Sequence, residues 1–390
     1  MTKKLFYDDP YICKAECEVI DVIKNKDKFD VVLKSTPFFP EGGGQPSDTG
    51  YIDGIRVEYV YEKDNTIYHV MNKKPENKIV KCEVDYDRRF DHIQQHSGEH
   101  MLSAAFYKLY KGVNAGFHMN DDANDYVAID IDMKDISSEM VKRTEIEVNS
   151  YIYRNEPVTT YFLPKEEAVK LPLRKAIKAD GMIRIVQMGK DIDCCACCGT
   201  QVRRTGEVGI VKVFKTEKYK GMTRIYFKSG LRALKECMLE HDVLSESAKH
   251  FSVEEKDVFE KIKIQDNQVE SLKKEVNSLY QKVASGEADK LVKNASHNYI
   301  EAQYDADFNF LEKLYDNLKD KDYVLILSSL KDKRVLFANN GKLPIECGKV
   351  FKENIKNFEG RGGGNSKRAQ GAFKSEESLN KFVCFLKERI

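Results

Sequence analysis

The sequence predicts an α+β multidomain protein: an N-terminal β-barrel, a central α+β domain, a coiled-coil helix and a C-terminal α/β unit. Three observations carry that expectation. Apolar and polar residues alternate through most of the first 88 positions. From Asp91 the apolar period becomes helical, then mixed. Between Val258 and Val283 apolar residues fall at 4-3 spacing. A chain of 390 residues exceeds one small core, and roughly two to four domains are expected. Divided at these changes, the domains are 1–90, 91–240, 241–292 and 293–390.

The first domain rests on alternating runs at Ala15 to Ile23, Phe29 to Lys34, Gly54 to Tyr61 and Thr66 to Val70, with turn residues between them. Short strands in this pattern close into a small barrel or sandwich. Embedded among them is the stretch Thr36 to Asp48, with Gly42, Gly43 and Gly44 in its middle. Three glycines let backbone approach a ligand closely or take positive φ, and they also suit a plain loop.

The central domain opens on His92-Ile93-Gln94-Gln95-His96-Ser97-Gly98-Glu99-His100, followed by the apolar run Met101 to Phe106. On a helix, His96 and His100 project from one face. A helix over Ser138 to Tyr153 and strands at Tyr126 to Ile131, Met182 to Val186, Val208 to Phe214 and Thr223 to Phe227 complete an α+β pattern. Further on, Val258, Ile262, Gln265, Val269, Leu272, Val276, Leu279 and Val283 form an a/d seam with one polar interruption. Such a seam either pairs with a second chain or folds back on its own protein. The last domain reads as a helix over Phe308 to Leu318, strands at Tyr323 to Leu327 and Arg334 to Ala338, a helix near Ile355, a loop at Gly360 to Asn365 and a closing helix over Glu377 to Glu388.

Composition narrows the class. With 41% hydrophobic and 33% charged residues the chain reads as a soluble globular protein. No apolar run approaches the roughly 18 residues that cross a bilayer, and the N-terminus lacks the apolar segment of a signal peptide. No membrane partner and a cytoplasmic location are therefore expected. Of ten cysteines, Cys194, Cys195, Cys197 and Cys198 crowd into five positions, which points to metal or thiol chemistry and away from a disulfide framework. The net charge of +1 means that a nucleic-acid partner must be held by a local patch.

Imidazole and thiolate together form an N/S donor set suited to Zn²⁺. Two histidines from one helix and a cysteine from a distant loop would leave a coordination position open, as catalytic zinc requires. The four clustered cysteines could instead bind zinc among themselves or merely pack, although they lack two separated C-x2-C knuckles.

Four motifs in order resemble the alanyl-tRNA editing proteins of the AlaX type, free-standing relatives of the alanyl-tRNA synthetase editing domain. TPFFPEGGGQPSDTG at 36–50 resembles the family's glycine-rich segment, and HSGEH its H-x3-H motif. ACCGTQV resembles the C-G-G-T-H element, with Cys197 at the family's cysteine. GRGGGNSKRAQG at 360–371 resembles the signature of the C-terminal DHHA1 domain, which implies a long form. The resemblance covers nearly the whole length.

The resemblance implies zinc-dependent hydrolysis of the ester that joins a mischarged serine or glycine to tRNA(Ala), with one Zn²⁺ per chain. It makes His96, His100 and Cys197 the metal ligands, with water or a neighbouring group completing the shell and Cys194 or Cys195 as alternatives. The family's second downstream ligand is histidine; here Gln201 stands in its place, a candidate but weak fourth ligand beside imidazole and thiolate. Thr36, Gln45 and Thr200 are the groups able to read a substrate hydroxyl, and Thr36 is the first choice. Arg203, Arg204, Lys212, Lys215 and Arg224 follow the metal loop and are expected to hold tRNA phosphates, with Arg361, Lys367 and Arg368 as a second contact. A homodimer through the coiled coil and DHHA1-like unit is the candidate assembly.

Glu99, where the family often has glutamine, makes H-x-x-E-H, the pattern of certain zinc metallopeptidases, and this is the rival reading. A third reading is a non-catalytic tRNA-binding protein with a degenerate zinc site. A DHH-type phosphoesterase is excluded, because the chain has no Asp-His-His triplet.

Overall fold

Alternation closes the N-terminal strands on themselves. In the computed structural model, which describes residues 1–120, 126–177, 179–295, 297–341 and 343–390, six strands form a barrel. They are β1 (Lys14–Asn25), β2 (Lys28–Leu33), β3 (Gly50–Ile52), β4 (Ile55–Lys63), β5 (Thr66–Met71) and β6 (Ile79–Val84), in the order β1-β2-β5-β4-β3-β6. Every neighbour is antiparallel, including the β6–β1 pair that shuts the barrel. In β6, Val80, Cys82 and Val84 point inward and Ile79, Lys81 and Glu83 outward, the period-two rule at work. The barrel core gathers Val31, Leu33, Phe38, Ile52, Val57 and Ile67.

The chain leaves the barrel directly into α1 (Tyr86–Tyr110). Near its start the fully buried Arg89 donates to the Asp48 carboxylate, to the carbonyl of Pro10 at 2.8 Å and to that of Pro37 at 2.6 Å. One guanidinium thus ties the helix to the glycine-rich segment and to the stretch before β1. A buried pair of this kind is strongly destabilising when one partner is removed, by about 3–5 kcal/mol.

Around α1 lie β7 (Asn114–His118), β8 (Val127–Ile131), α2 (Ser138–Arg154), β9 (Val158–Pro164), β10 (Met182–Met188), β11 (Asp193–Ala196), β12 (Val211–Tyr219) and β13 (Met222–Ser229). They make a four-stranded sheet ordered β12-β13-β8-β7 and a three-stranded sheet β9-β10-β11, both antiparallel. Ser137 caps α2, its hydroxyl accepting from the N–H of Met140. Ile93, Leu102 and Phe106 of α1 share a core with Val148, Ile129 and Phe227.

The chain divides into two units, Met1–Glu246 and Ser247–Ile390, and the division falls inside α3 (Gly230–Phe251). The second unit contains α4 (Val258–Asn294), 37 residues and therefore about 55 Å long. Val258 at its start is buried, Ile262, Val269, Leu272, Val276, Leu279 and Val283 are all exposed, and burial resumes at Ala284 and Ala288, which pack on α5 (Phe308–Leu318). The rest is β14 (Tyr299–Tyr304), β15 (Val324–Ser329), β16 (Arg334–Asn339), α6 (Cys347–Asn354), β17 (Gly360–Gly364), β18 (Arg368–Phe373) and α7 (Glu376–Lys387). Their sheet is ordered β14-β15-β16-β18-β17.

One expectation is corrected here. Gly360 to Gly364, read as a loop, is the edge strand β17, paired from Gly360 opposite Phe373 to Gly364 opposite Ala369. Strand patterns are read from side chains, and a glycine run offers none, although its backbone pairs as well as any. The turn that follows is closed by Asn365, whose Oδ1 accepts from the N–H groups of Lys367 and Arg368.

Candidate metal centre

Helical spacing places the His96 and His100 rings one above the other, centroids 5.2 Å apart. The loop after β11 brings Cys197 to them across 101 residues of chain, its Sγ 3.3 Å from Nε2 of His96. One ligand atom from each of the three residues lies within 4.8 Å of the others. A second set, His100, Asp193 and Cys195, meets the same criterion on the other side of the His100 ring. There Nδ1 of His100 is 3.0 Å from Oδ2 of Asp193 and 2.9 Å from Sγ of Cys195.

Strand geometry explains the second set. Asp193 and Cys195 lie two apart on β11 and share a face, while Cys194 packs with Ile183 and Ile185 in a separate small cluster. Asp193 is also held by Arg174, Nε to Oδ1 at 3.0 Å. Burial alone would raise the Asp193 carboxyl, but the Arg174 guanidinium outweighs it and holds the group well below the usual carboxylate range. A carboxylate only accepts, so it fixes the proton of His100 on Nδ1 and leaves Nε2 as a donor for a metal.

His96 is oriented by a different element. Its Nδ1 lies 2.9 Å from Oε1 of Gln45, which also accepts from the N–H of Thr200 at 3.2 Å. The Gln45 amide nitrogen donates to Thr200 Oγ1 at 2.9 Å. The glycine-rich segment, with positive φ at Gly43 and Gly44, thereby delivers one amide to the back of a metal-facing imidazole. Gly199 has to be glycine for the same approach, since a Cβ there would stand 2.0 Å from Cε1 of His96.

The cysteine loop is pinned from outside. Arg184 donates to the carbonyls of Cys197 at 2.8 Å and Gly199 at 2.9 Å, and Tyr7 donates to that of Cys198 at 3.0 Å. Burial would raise the Cys197 thiol; the imidazoles of His96 and His100 outweigh it and hold the thiol well below its ordinary value. Two nitrogens and one stabilised thiolate on a buried, oriented frame are a donor set that suits Zn²⁺. Beside it, Glu99 has Oε1 tied to Ser103 at 2.7 Å and Asn114 at 2.5 Å, with Oε2 3.8 Å from Nε2 of His100. A cleft of ≈ 610 Å³ lined by Gly42 to Ser47, Phe117 and His118 borders the cluster, Phe117 packing on His96 at 5.0 Å.

The chain is similar to known proteins over nearly its whole length. Residues 3–88 match the family model described as tRNA synthetases class II (A), and residues 183–226 match the threonyl and alanyl tRNA synthetase second additional domain. The alanyl-tRNA editing protein AlaX-L of Pyrococcus horikoshii is 33% identical over 395 residues, 95% of this chain and 94% of its own. The chain belongs to the AlaX alanyl-tRNA editing proteins. Alanine–tRNA ligases of Methanobrevibacter smithii and Archaeoglobus fulgidus are each 30% identical, over 97% and 99% of this chain. Of those ligases the chain spans a little under half the length, 45% and 44%.

The other expected site residues fall less simply against this AlaX frame. Thr36 is fully buried, and its hydrogen bonds go to His69 Nε2 at 2.8 Å and the N–H of Phe38 at 3.1 Å. The His69 Nδ1 faces the Val31 carbonyl at 2.8 Å, so that nitrogen carries the proton and Nε2 accepts from Thr36. Gln201 accepts from the Ser97 hydroxyl. Arg203 pairs with Asp9 at 2.6 Å, Lys212 with Glu145 at 2.9 Å, Lys215 with Glu217 at 2.9 Å and Arg224 with Asp130 at 2.6 Å. Arg204 donates to the carbonyl of Asn155. Most of the acids come from elsewhere in the sequence, so a local count of charges missed them. In the second unit Arg368 pairs with Glu312 at 2.9 Å, while Arg361 and Lys367 are exposed. Asp193, Arg174 and Arg184 were not foreseen. The spacing of Asp193, two positions before Cys195, points to a shared face only once β11 is known to be a strand. Among the described residues no helix is long and apolar enough to cross a membrane.

Proposed function

We propose that this AlaX chain is a trans-editing hydrolase that deacylates mischarged Ser-tRNA(Ala), Gly-tRNA(Ala) or both, with one Zn²⁺ held by His96, His100 and Cys197. The observation that carries the reading is the convergence of those three donors from two distant segments, each backed by an orienting partner. The full-length likeness to AlaX-L, an alanyl-tRNA editing protein, supports the choice of substrate. Bound there, zinc would supply Lewis acidity and a fixed point for substrate or water. The rest falls to the chain's own groups. Gln45 and Asp193 engage Nδ1 of the two imidazoles and so turn Nε2 of each toward the metal position, and the buried frame excludes bulk water. Thr36 reads the serine hydroxyl in this proposal: its own proton is given to His69, so toward a substrate it acts as an acceptor. Arg203, Lys212, Lys215 and Arg224 exchange their acidic partners, and Arg204 the carbonyl of Asn155, for tRNA phosphates, and Arg361, Lys367 and Arg368 form a second contact on the DHHA1-like unit. The exposed α4 seam pairs two chains.

The test is deacylation of Ser-, Gly- and Ala-tRNA(Ala) and cleavage of a casein-type peptide, each with and without chelator. Metal-dependent loss of Ser- or Gly-tRNA(Ala) with Ala-tRNA(Ala) spared is the expected result. Peptide cleavage without deacylation would move the chain to the metallopeptidase reading that Glu99 raises.

A further inference from the structure

Gln201 stands where the AlaX resemblance puts a fourth, histidine ligand, and the hydrogen bonds around it decide which end of its amide faces the metal cluster. Ser97 Oγ accepts from the N–H of Val202 at 3.0 Å and lies 2.8 Å from Oε1 of Gln201. A hydroxyl has one proton to give, and here the acceptor within reach is that amide oxygen. Ser97 is 0% and Gln201 2% exposed, so bulk water does not replace either partner. Turning the amide over would set its NH₂ against Ser97 Oγ and strand the hydroxyl proton, at a cost of about 1–3 kcal/mol. It would also turn a carbonyl lone pair onto the Cys197 sulfur. The network therefore orients Nε2 toward Cys197, 3.7 Å from Sγ. The N–H of Gly199 is a second donor to the same sulfur at 3.3 Å.

We propose that Gln201 is a positioning residue that donates to the Cys197 thiolate and is not a metal ligand, so that the centre keeps one exchangeable coordination position. The inference rests on the metal reading above and deepens it. Three protein donors with an open fourth position are the arrangement of catalytic zinc; four protein donors close a site. In this chain a histidine has been exchanged for a side chain that supports the thiolate ligand from behind, and the vacated position is available to a donor group of the substrate.

Full-length protein loaded with Co²⁺ tests this, because the visible spectrum reports the ligand set without reference to activity, and azide serves as the exogenous ligand. The wild type is expected to show sulfur-to-cobalt charge transfer and a shift of its d–d bands on titration with azide. Gln201→His should abolish the azide response and tighten Co²⁺ binding by about tenfold or more, as a new ligand would. Gln201→Ala should keep the azide response. A wild type that binds Co²⁺ but ignores azide, with the response emerging only in Gln201→Ala, would overturn the inference and leave the metal site standing. Failure of the wild type to take up Co²⁺ at all would overturn the metal site, and this inference with it.

Discussion

Asp193 does for His100 what its place in the sequence did not announce. Its carboxylate sits between a guanidinium and an imidazole nitrogen, and it fixes the tautomer that a metal ligand needs. Asp193→Asn keeps the shape but loses the charge, and Zn²⁺ affinity should fall by about 10–100-fold in competition with a chromophoric chelator. Far-UV circular dichroism should not change, and unaltered affinity would remove Asp193 from this role. His69 allows a prediction about pH. It is buried, and burial lowers it to about 4 from an ordinary value near 6.5. Between those values the unfolded chain binds the proton and the folded chain does not. Stability from this group is therefore complete above about pH 6.5 and lost as pH falls, by about 2 kcal/mol at pH 5. The melting temperature should drop between pH 7 and pH 5, and His69→Gln should flatten that slope.

Elements with strong local patterns were legible. The helix Phe308–Leu318 lies where the sequence places one, because its apolar face repeats at the helical period. Four of the six barrel strands were read to within a few residues for the same reason at period two, while the three-residue β3 and the alternating β6 were not. Elements without such patterns were missed: the glycine strand β17, and β11, where cysteines masked a strand. The seam of α4 has Ile262, Val269, Val276 and Val283 at a and Gln265, Leu272 and Leu279 at d. Branched residues at a with leucine at d favour a parallel two-stranded coil, in which Lys261 at g would face Asp266 at e of the partner. Sedimentation equilibrium should find a dimer that Val276→Asp with Leu279→Asp converts to monomer. A wild type that is monomeric at tens of micromolar would exclude the pairing.

At the scale of the whole molecule, the two units have separate cores and separate tasks in this proposal. Calorimetry should resolve two transitions, and Zn²⁺ at about 100 times its dissociation constant should stabilise the one from residues 1–246 by about 2.7 kcal/mol. A shift of both transitions by the same amount would contradict independent units. What the sequence determined by itself was local: the helix that stacks His96 over His100, the barrel alternation, the seam, and motifs sufficient to place the chain beside AlaX proteins. Tertiary structure decided which cysteine meets which imidazole nitrogen, which acid pairs each cation, and how the amides of Gln45 and Gln201 are turned. Those outcomes depend on segments a hundred residues apart being brought into contact, as with Cys197 and His96. Spacing along a chain fixes a face of a helix or strand, but a hydrogen-bond partner exists only once both segments are packed.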